Sequence, residues 1–314
     1  MIWVTWRQQR TETVIAALLL VFAAVVLVPT GLNISEAYDH DGVAACLTNP
    51  TGDCRDTVEL FASRWEQIVN LVAWFNLLPG LIGVLLAVPL VLEFEHGTYR
   101  LAWTQSVTRD RWLATRLAAI VVATVVAAVA FTLVMTWWRS PLDHVRGRFE
   151  EGFNFVGLVP TAYALFAAAL VLVTGVVLRR AAAAIGITLV VFVALRLVIE
   201  GWVRKNYLAP LHRTWTGSAE PDLHGAWVMS QGRELQLVGG GRPDPGVVAS
   251  CFQGPPKLVD GACLARHGVV EYADVIYHPA SRFWLFQGIE AGIFISLALI
   301  LGTFAVVWIR RRVV

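Results

Sequence analysis

The chain has 314 residues, 57% hydrophobic and only 15% charged, with a formal net charge of +2 and a mean hydropathy of +0.62. A soluble domain carries about 45 to 50% apolar and roughly 25% charged residues, so this balance points to a bilayer protein and excludes a disordered chain, a collagen-like repeat and a soluble two-domain enzyme. The small net charge also argues against a nucleic-acid partner, which calls for a strongly basic face.

A helix needs about 20 mostly apolar residues to cross roughly 30 Å of hydrocarbon. Six segments reach that length: 13–32, 68–92, 113–138, 155–178, 181–203 and 283–309. Period-two alternation is absent, so the sequence predicts an all-α polytopic membrane protein rather than an outer-membrane barrel. The first segment follows Arg7 and Arg10 as a secretory signal would. Its end at Pro29, Thr30, Gly31 and Leu32 lacks small residues at cleavage spacing, so it reads as an uncleaved helix. Residues 1–12, with Trp3 and Trp6 beside Arg7 and Arg10, suit a short helix lying in the cytoplasmic interface.

Basic residues in short loops are retained on the cytoplasmic side. With the N-terminus inside, that side holds Arg7, Arg10, Arg100, Arg109, Arg111, Arg116, Arg179, Arg180 and Arg310 to Arg312, against Arg55, Arg64, Arg139, Arg146 and Arg148 in the short outer loops. The ends of the long loop add Arg204, Lys205, Arg213 and Arg282 to the outer count. Both termini are therefore expected in the cytoplasm. Cys46, Cys54, Cys251 and Cys263 all fall on the outer side, as disulfides in an oxidising compartment would. Four cysteines allow three connectivities; Cys46 with Cys54 and Cys251 with Cys263 is the expected one, because each pair is close in sequence and shares a loop. Residues 204–282, rich in Gly and Pro with β-like runs around Gly268 to Tyr272, are long enough for a small disulfide-linked extracytoplasmic domain between the fifth and sixth helices, leaving 283–314 as the last helix and a basic C-terminus.

The most informative stretch is residues 93–117, EFEHGTYRLAWTQSVTRDRWLATRL. Two acids close a membrane helix, Gly97 and Thr98 punctuate it, and an amphipathic turn with Leu101, Trp103 and Val107 leads to Arg109 and Arg111. The set Glu93, Glu95, Gly97, Thr98, Leu101, Ser106, Val107, Thr108 and Arg109 resembles the first cytoplasmic loop of ABC exporter permeases of the type-2, G-subfamily-like class, here of the actinobacterial type. The six-span topology, the amphipathic N-terminus and the large loop before the last span extend the resemblance over most of the chain. It implies that loop 93–112 carries a coupling helix, Tyr99 to Val107, seated in a cleft of a separate ATPase subunit. It implies too that Arg109 and Arg111 pair with acids there, and that spans two and five of two permease copies line the path. On that reading the bilayer core does not depend on Glu95 or Arg109.

The only lysines are Lys205 and Lys257, after Arg204 and Pro256. A Walker A loop needs Gly-Lys followed by Ser or Thr, so this chain lacks one, and ATP with its Mg is expected on the partner ATPase. A zinc-protease motif and a nucleophile elbow are absent as well. Glu93 with His96 is a poor metal pair, Asp39, His40 and Asp41 read as a solvated turn, and His212, His224, His267 and His278 are scattered.

Ionisable residues inside spans are costly and mark functional candidates. Arg196 and Glu200 lie one turn apart in span five, and Glu290 lies at a similar depth in span six, so Arg196 is expected to pair with Glu200 or Glu290 as a path lining or as a helix clamp. Pro79 and Gly80, with Asn70 and Asn76 nearby, predict a bend in span two whose freed carbonyls face protein or water. The expected function is the permease subunit of an ABC exporter for hydrophobic or amphipathic compounds, working as a dimer. A polytopic membrane enzyme and a sensor binding ligand through the outer domain stay open beside it.

Overall fold

The computed structural model describes residues 2–48, 54–99, 108–149, 151–216, 223–253, 258–259 and 261–312. They form two compact units, the first comprising Met1–Tyr207 with Phe283–Val314 and the second Leu208–Arg282. Six stretches of the first unit are long and apolar enough to cross a membrane.

Helix α1 (Ile2–His40) is followed by the short α2 (Val43–Thr48) and by α3 (Arg55–Val72). Residues 1–12 were expected to be a separate interfacial helix. Instead α1 runs unbroken from Ile2 into the first span, because no Gly or Pro interrupts Ile2 to Val28. It also continues past Leu32, burying Ile34 and Ala37 on the way. A 3₁₀ turn (Ala73–Leu77) joins α3 to α4 (Leu78–Glu95). A continuous helix from residue 56 to residue 95 would be about 60 Å long, twice the hydrocarbon thickness. The turn ahead of Pro79 therefore separates a mixed polar and apolar α3 from the apolar α4, which is the bend expected at Pro79, shifted a few residues earlier.

Helix α5 (Arg109–Arg146) is about 57 Å long at 1.5 Å per residue, so it outruns the bilayer. One face buries Leu113, Ile120, Ala128, Phe131, Met135 and Trp138 at spacings of three to eight residues, while Val122, Val126 and Leu133 face outward. Helix α6 (Val159–Leu178) is apolar all round and buried on most of its surface. It is followed by α7 (Ala181–Val198), which continues through a π turn (Ile199–Val203) and a 3₁₀ turn (Arg204–Asn206). Arg179, at φ 54° in the left-handed region, closes α6 and reverses the chain into α7.

In lipid the hydrophobic effect does not drive helices together, so association rests on close packing and hydrogen bonds. Helix α6 is the centre of that packing, with α4, α5 and α7 against it. Gly83 of α4 meets the Ala164 carbonyl of α6 so closely that a Cβ there would lie 2.0 Å from the oxygen, and a Cβ at Gly175 would lie 2.3 Å from Val91. At the far side α5 holds α1 through Trp138, whose indole N–H donates to Thr30 Oγ1 at 2.9 Å.

The second unit is mixed rather than all-α. It contains β1 (Leu211–Thr216), β2 (Trp227–Leu237), α8 (Pro245–Ser250), β3 (Phe252–Gln253), β4 (Leu258–Val259), α9 (Gly261–Arg266) and β5 (Val269–His278). Strand β5 is the centre of an antiparallel sheet in the order β1-β5-β2, with Ala273 opposite both Trp215 and Arg233. The alternation along β5 buries Val269, Ala273, Val275 and Tyr277. Cysteines pair as 46 with 54 and 251 with 263, with Cα separations of 5.7 and 5.5 Å. The second bridge packs with Leu264 and Val269 into this unit's own small core. Helix α10 (Phe283–Arg312) belongs to the first unit and lies against α6.

Chain tracing places exposed Trp74, Trp137, Trp202 and Trp284 at one end of the apolar helices, and exposed Arg179, Arg180, Arg310, Arg311 and Arg312 at the other. Aromatic belts and basic flanks of this kind mark membrane interfaces.

The close approach of α4 to α6 makes a specific demand on Gly83. Gly83→Ala is expected to lower stability by about 1 to 3 kcal/mol through overpacking. Gly302→Ala in α10, where an added Cβ meets nothing within 4 Å, changes it by less than about 0.5 kcal/mol. Thermal unfolding of the two variants in detergent reads the difference.

Candidate functional site

Two polar clusters tie the first unit together, one at each end of its helices. The Arg-rich end is organised by the last turn of α4. Residues two apart on a helix point about 200° apart, so Glu93 and Glu95 address different neighbours. Glu93 accepts a hydrogen bond of 2.6 Å from Arg116 of α5, whose side chain is almost fully buried. Glu95 accepts the backbone N–H of Ala181 at 2.7 Å. Ala181 opens α7, so a carboxylate from α4 satisfies an orphan donor of another helix and meets the positive end of its dipole. Phe94, between them, packs on Tyr99 with ring centroids 5.3 Å apart and edge-on to Trp112.

After α4 the chain turns at Gly97, whose φ of 71° suits a residue without a Cβ. The Thr98 hydroxyl donates back to the Glu93 carbonyl. Tyr99, expected as the first residue of an exposed amphipathic knob, is 5% exposed and anchored in the helix bundle. Leu101, Trp103 and Val107 lie outside the described residues. Arg109 is exposed at the start of α5. Glu95 was expected to leave the bilayer core indifferent; its bond to α7 makes it a structural link as well.

The opposite end holds a ladder of charges. Arg196, Glu200 and Arg204 follow one another at intervals of four along α7, its π turn and the start of the 3₁₀ turn, with Arg196 4.0 Å and Arg204 3.9 Å from Glu200. The expected pairing of Arg196 with Glu290 is not formed, and that with Glu200 is at the limit of contact. Arg196 instead donates to Asn76 twice, to the carbonyl and to Oδ1, each at 2.7 Å. The reason lies in the 3₁₀ turn. Its carbonyls look for an N–H three residues on, and three residues after Asn76 stands Pro79, which has none. The guanidinium takes the carbonyl and stacks over the Tyr163 ring at 4.3 Å.

Glu290 is claimed by Arg204, which donates to both of its oxygens at 2.8 Å. The hydroxyls of Tyr163 and Tyr207 donate to the same carboxylate. Asn154, in the turn before α6, accepts from Arg204 at 2.6 Å and donates to Glu200 at 2.9 Å. Next to it Gln287 of α10 accepts from the backbone N–H groups of Leu158 and Val159, both at 3.1 Å, and donates to the Phe153 carbonyl at 2.7 Å. One side chain thus caps α6 and pins residues 153–158. Asn70 stands exposed on α3, away from this ladder.

Sequence reasoning placed Arg204 in the outer loop and Arg116 and Arg139 among loop cations. All three are buried, with Arg139 held by Asp143 one turn on at 3.2 Å. The i, i+4 spacing of Glu200 with Arg204 and of Arg139 with Asp143 was the available signal. Nothing in the sequence singles out Tyr163, Asn154 or Gln287.

Breaking a buried pair from one side leaves an uncompensated charge. Glu290→Gln is expected to lower stability by about 3 to 5 kcal/mol, and Arg204→Met combined with Glu290→Leu to recover most of it. Arg196→Leu combined with Glu290→Gln recovers nothing. Thermal midpoints of the full set decide which cation is the partner of Glu290.

Among comparisons with known proteins, neither curated proteins nor solved structures give a match. A family model described as ABC-2 membrane transporter related matches residues 16–204. The matched stretch reaches from α1 to Arg204 and includes both polar clusters except for Tyr207 and the contributions from α10. The chain therefore belongs to the ABC-2 membrane transporter-related family and is a multi-pass membrane protein.

Proposed function

We propose that the chain is the permease subunit of an ABC exporter for hydrophobic or amphipathic compounds, paired with a second copy of itself and powered by separate ATPase chains that carry the ATP and Mg. The finer placement in the type-2, G-subfamily-like class belongs to this reading. So does the topology, with both termini and the Arg-rich end in the cytoplasm, and the second unit and the Cys46–Cys54 bridge of the first outside. The observation that carries it is the junction at the end of α4. A partner that pushes on loop 93–112 moves the α4 terminus, and the two carboxylates there hand the displacement to α5 through Arg116 and to α7 through Ala181. Arg196 of α7 also holds Asn76 in the 3₁₀ turn that leads into α4, so the input at one end and a polar junction at the other lie on the same two stretches of chain.

Within this mechanism each residue has a task. Leu101, Trp103 and Val107 supply the apolar face that seats in the ATPase. Gly97 and Thr98 hold the turn that joins this face to α4. Glu93 and Glu95 make the transfer rigid. Arg196, Glu200, Arg204 and Glu290 keep a charge-balanced group near the outer exit, where an unpaired Arg would cost less than the roughly 2.5 to 3.5 kcal/mol it costs at a membrane helix centre.

Co-expression with an ATPase encoded beside the permease tests the assignment. The wild-type chain is expected to co-purify with the ATPase. Leu101→Asp and Trp103→Asp lose the ATPase while keeping their thermal midpoints, and Glu95→Gln loses both coupling and part of its stability. Retention of the ATPase by the Asp variants, or no ATPase partner at all, overturns the proposal. In intact cells a membrane-impermeant maleimide should reach the four cysteines only after reduction; labelling without reductant contradicts the bridges, and no labelling after reduction contradicts their outward placement.

A further inference from the structure

Helices α5 and α10 both lie against α6, and between them runs a furrow of about 500 Å³ with α6 as part of its floor. It extends from Phe283 and Trp284 to Ile295, about 16 Å at 1.5 Å per residue. That is the length of an extended acyl chain rather than of a compact solute.

The chemistry of the wall is apolar to a degree its composition conceals. The hydroxyl of Thr132 donates to the Ala128 carbonyl at 2.8 Å and that of Thr136 to the Thr132 carbonyl at 2.7 Å, so neither has its hydrogen left for a guest. The N–H of Leu158, also in the wall, is taken by Gln287. Arg148 contributes the single formal charge among the lining residues. It follows the end of α5, at the same end as Trp284. Its ion pair is with Asp143 at 3.9 Å, and Asp143 is already bonded by Arg139 at 3.2 Å. A guanidinium more than half exposed beside an interfacial Trp that is 59% exposed has donors to spare at the depth where phosphates lie.

We infer that this furrow binds one phospholipid of the surrounding membrane, with an acyl chain laid between α5 and α10 and the phosphate held by Arg148. Apolar length below and a planar cation above is the pattern of a lipid with an anionic headgroup. A soluble phosphate ester lacks the tail that fills the furrow, and a neutral diglyceride lacks the group that pairs with Arg148. The site shares no charged residue with either polar cluster and does not depend on the transport reading.

Native mass spectrometry of the purified, delipidated full chain tests it, with phosphatidylglycerol, diacylglycerol and inorganic phosphate added in turn. The wild type should retain one phosphatidylglycerol and neither of the others. Arg148→Gln should weaken retention roughly tenfold, the loss expected for one charge-assisted hydrogen bond. Thr136→Trp, which fills the furrow from a solvent-accessible position, should abolish retention with an unchanged thermal midpoint. Equal retention by wild type and Thr136→Trp, or diacylglycerol held as well as phosphatidylglycerol, overturns the proposal. Since all four native cysteines are bridged, Thr136→Cys supplies a last arm: a disulfide-linked dimer in membranes would make the furrow a contact between copies instead.

Discussion

Glu290 has no exposed surface, and what that carboxylate requires positions α6, α10 and the end of α7 against one another. A buried carboxylate is tolerated only when a cation and further donors satisfy its lone pairs. Arg204 supplies the cation and two tyrosine hydroxyls supply the rest, which fixes α10 to α6 and to the end of α7 at once. The π turn at 199–203 brings Arg204 into the protein rather than letting the helix carry it out to solvent. Asn154 then connects Arg204 to Glu200, and Gln287 secures the adjoining backbone. In a medium where apolar contact contributes little to helix association, these hydrogen bonds set which helices are neighbours, and the Gly83 and Gly175 contacts set how close they come.

The other end follows the same logic with fewer groups. Two acids separated by one residue face two helices, and one of them serves as the cap that α7 lacks in its own sequence. Arg180, the residue before α7, has no side chain able to accept from an N-terminal N–H. On the proposed reading, coupling and fold are therefore not separable properties of this chain. The residues that would receive a mechanical input are the ones that hold α4, α5 and α7 in register.

Much of the fold was legible in the sequence, because long apolar runs have few alternatives in a bilayer. The six helices, the bend near Pro79 and both disulfide pairings could be read from hydropathy, one proline and the spacing of four cysteines. Helix ends were less legible. The extra turns of α1 and α5 and the separate α3 depend on packing that composition does not encode. The charge ladder was half visible: Arg196, Glu200 and Glu290 stand out as costly residues, but Arg204 sits where a span normally ends and reads as loop. Pairing is a tertiary property, and a carbonyl released by Pro79 competes for Arg196 in a way that spacing along one helix cannot reveal.

The bond between Arg204 and Glu290 joins residues 86 positions apart, with the whole second unit between them. At about 5 to 20 residues per second, roughly 4 to 17 seconds of synthesis separate the two. Over that interval α7 is in place while its terminal guanidinium has no carboxylate from α10, so the natural station for Arg204 is the headgroup region. The bundle core therefore closes at this point only after the inserted unit has been made. A truncated chain ending within that unit would carry an open seam along α6 where α10 belongs.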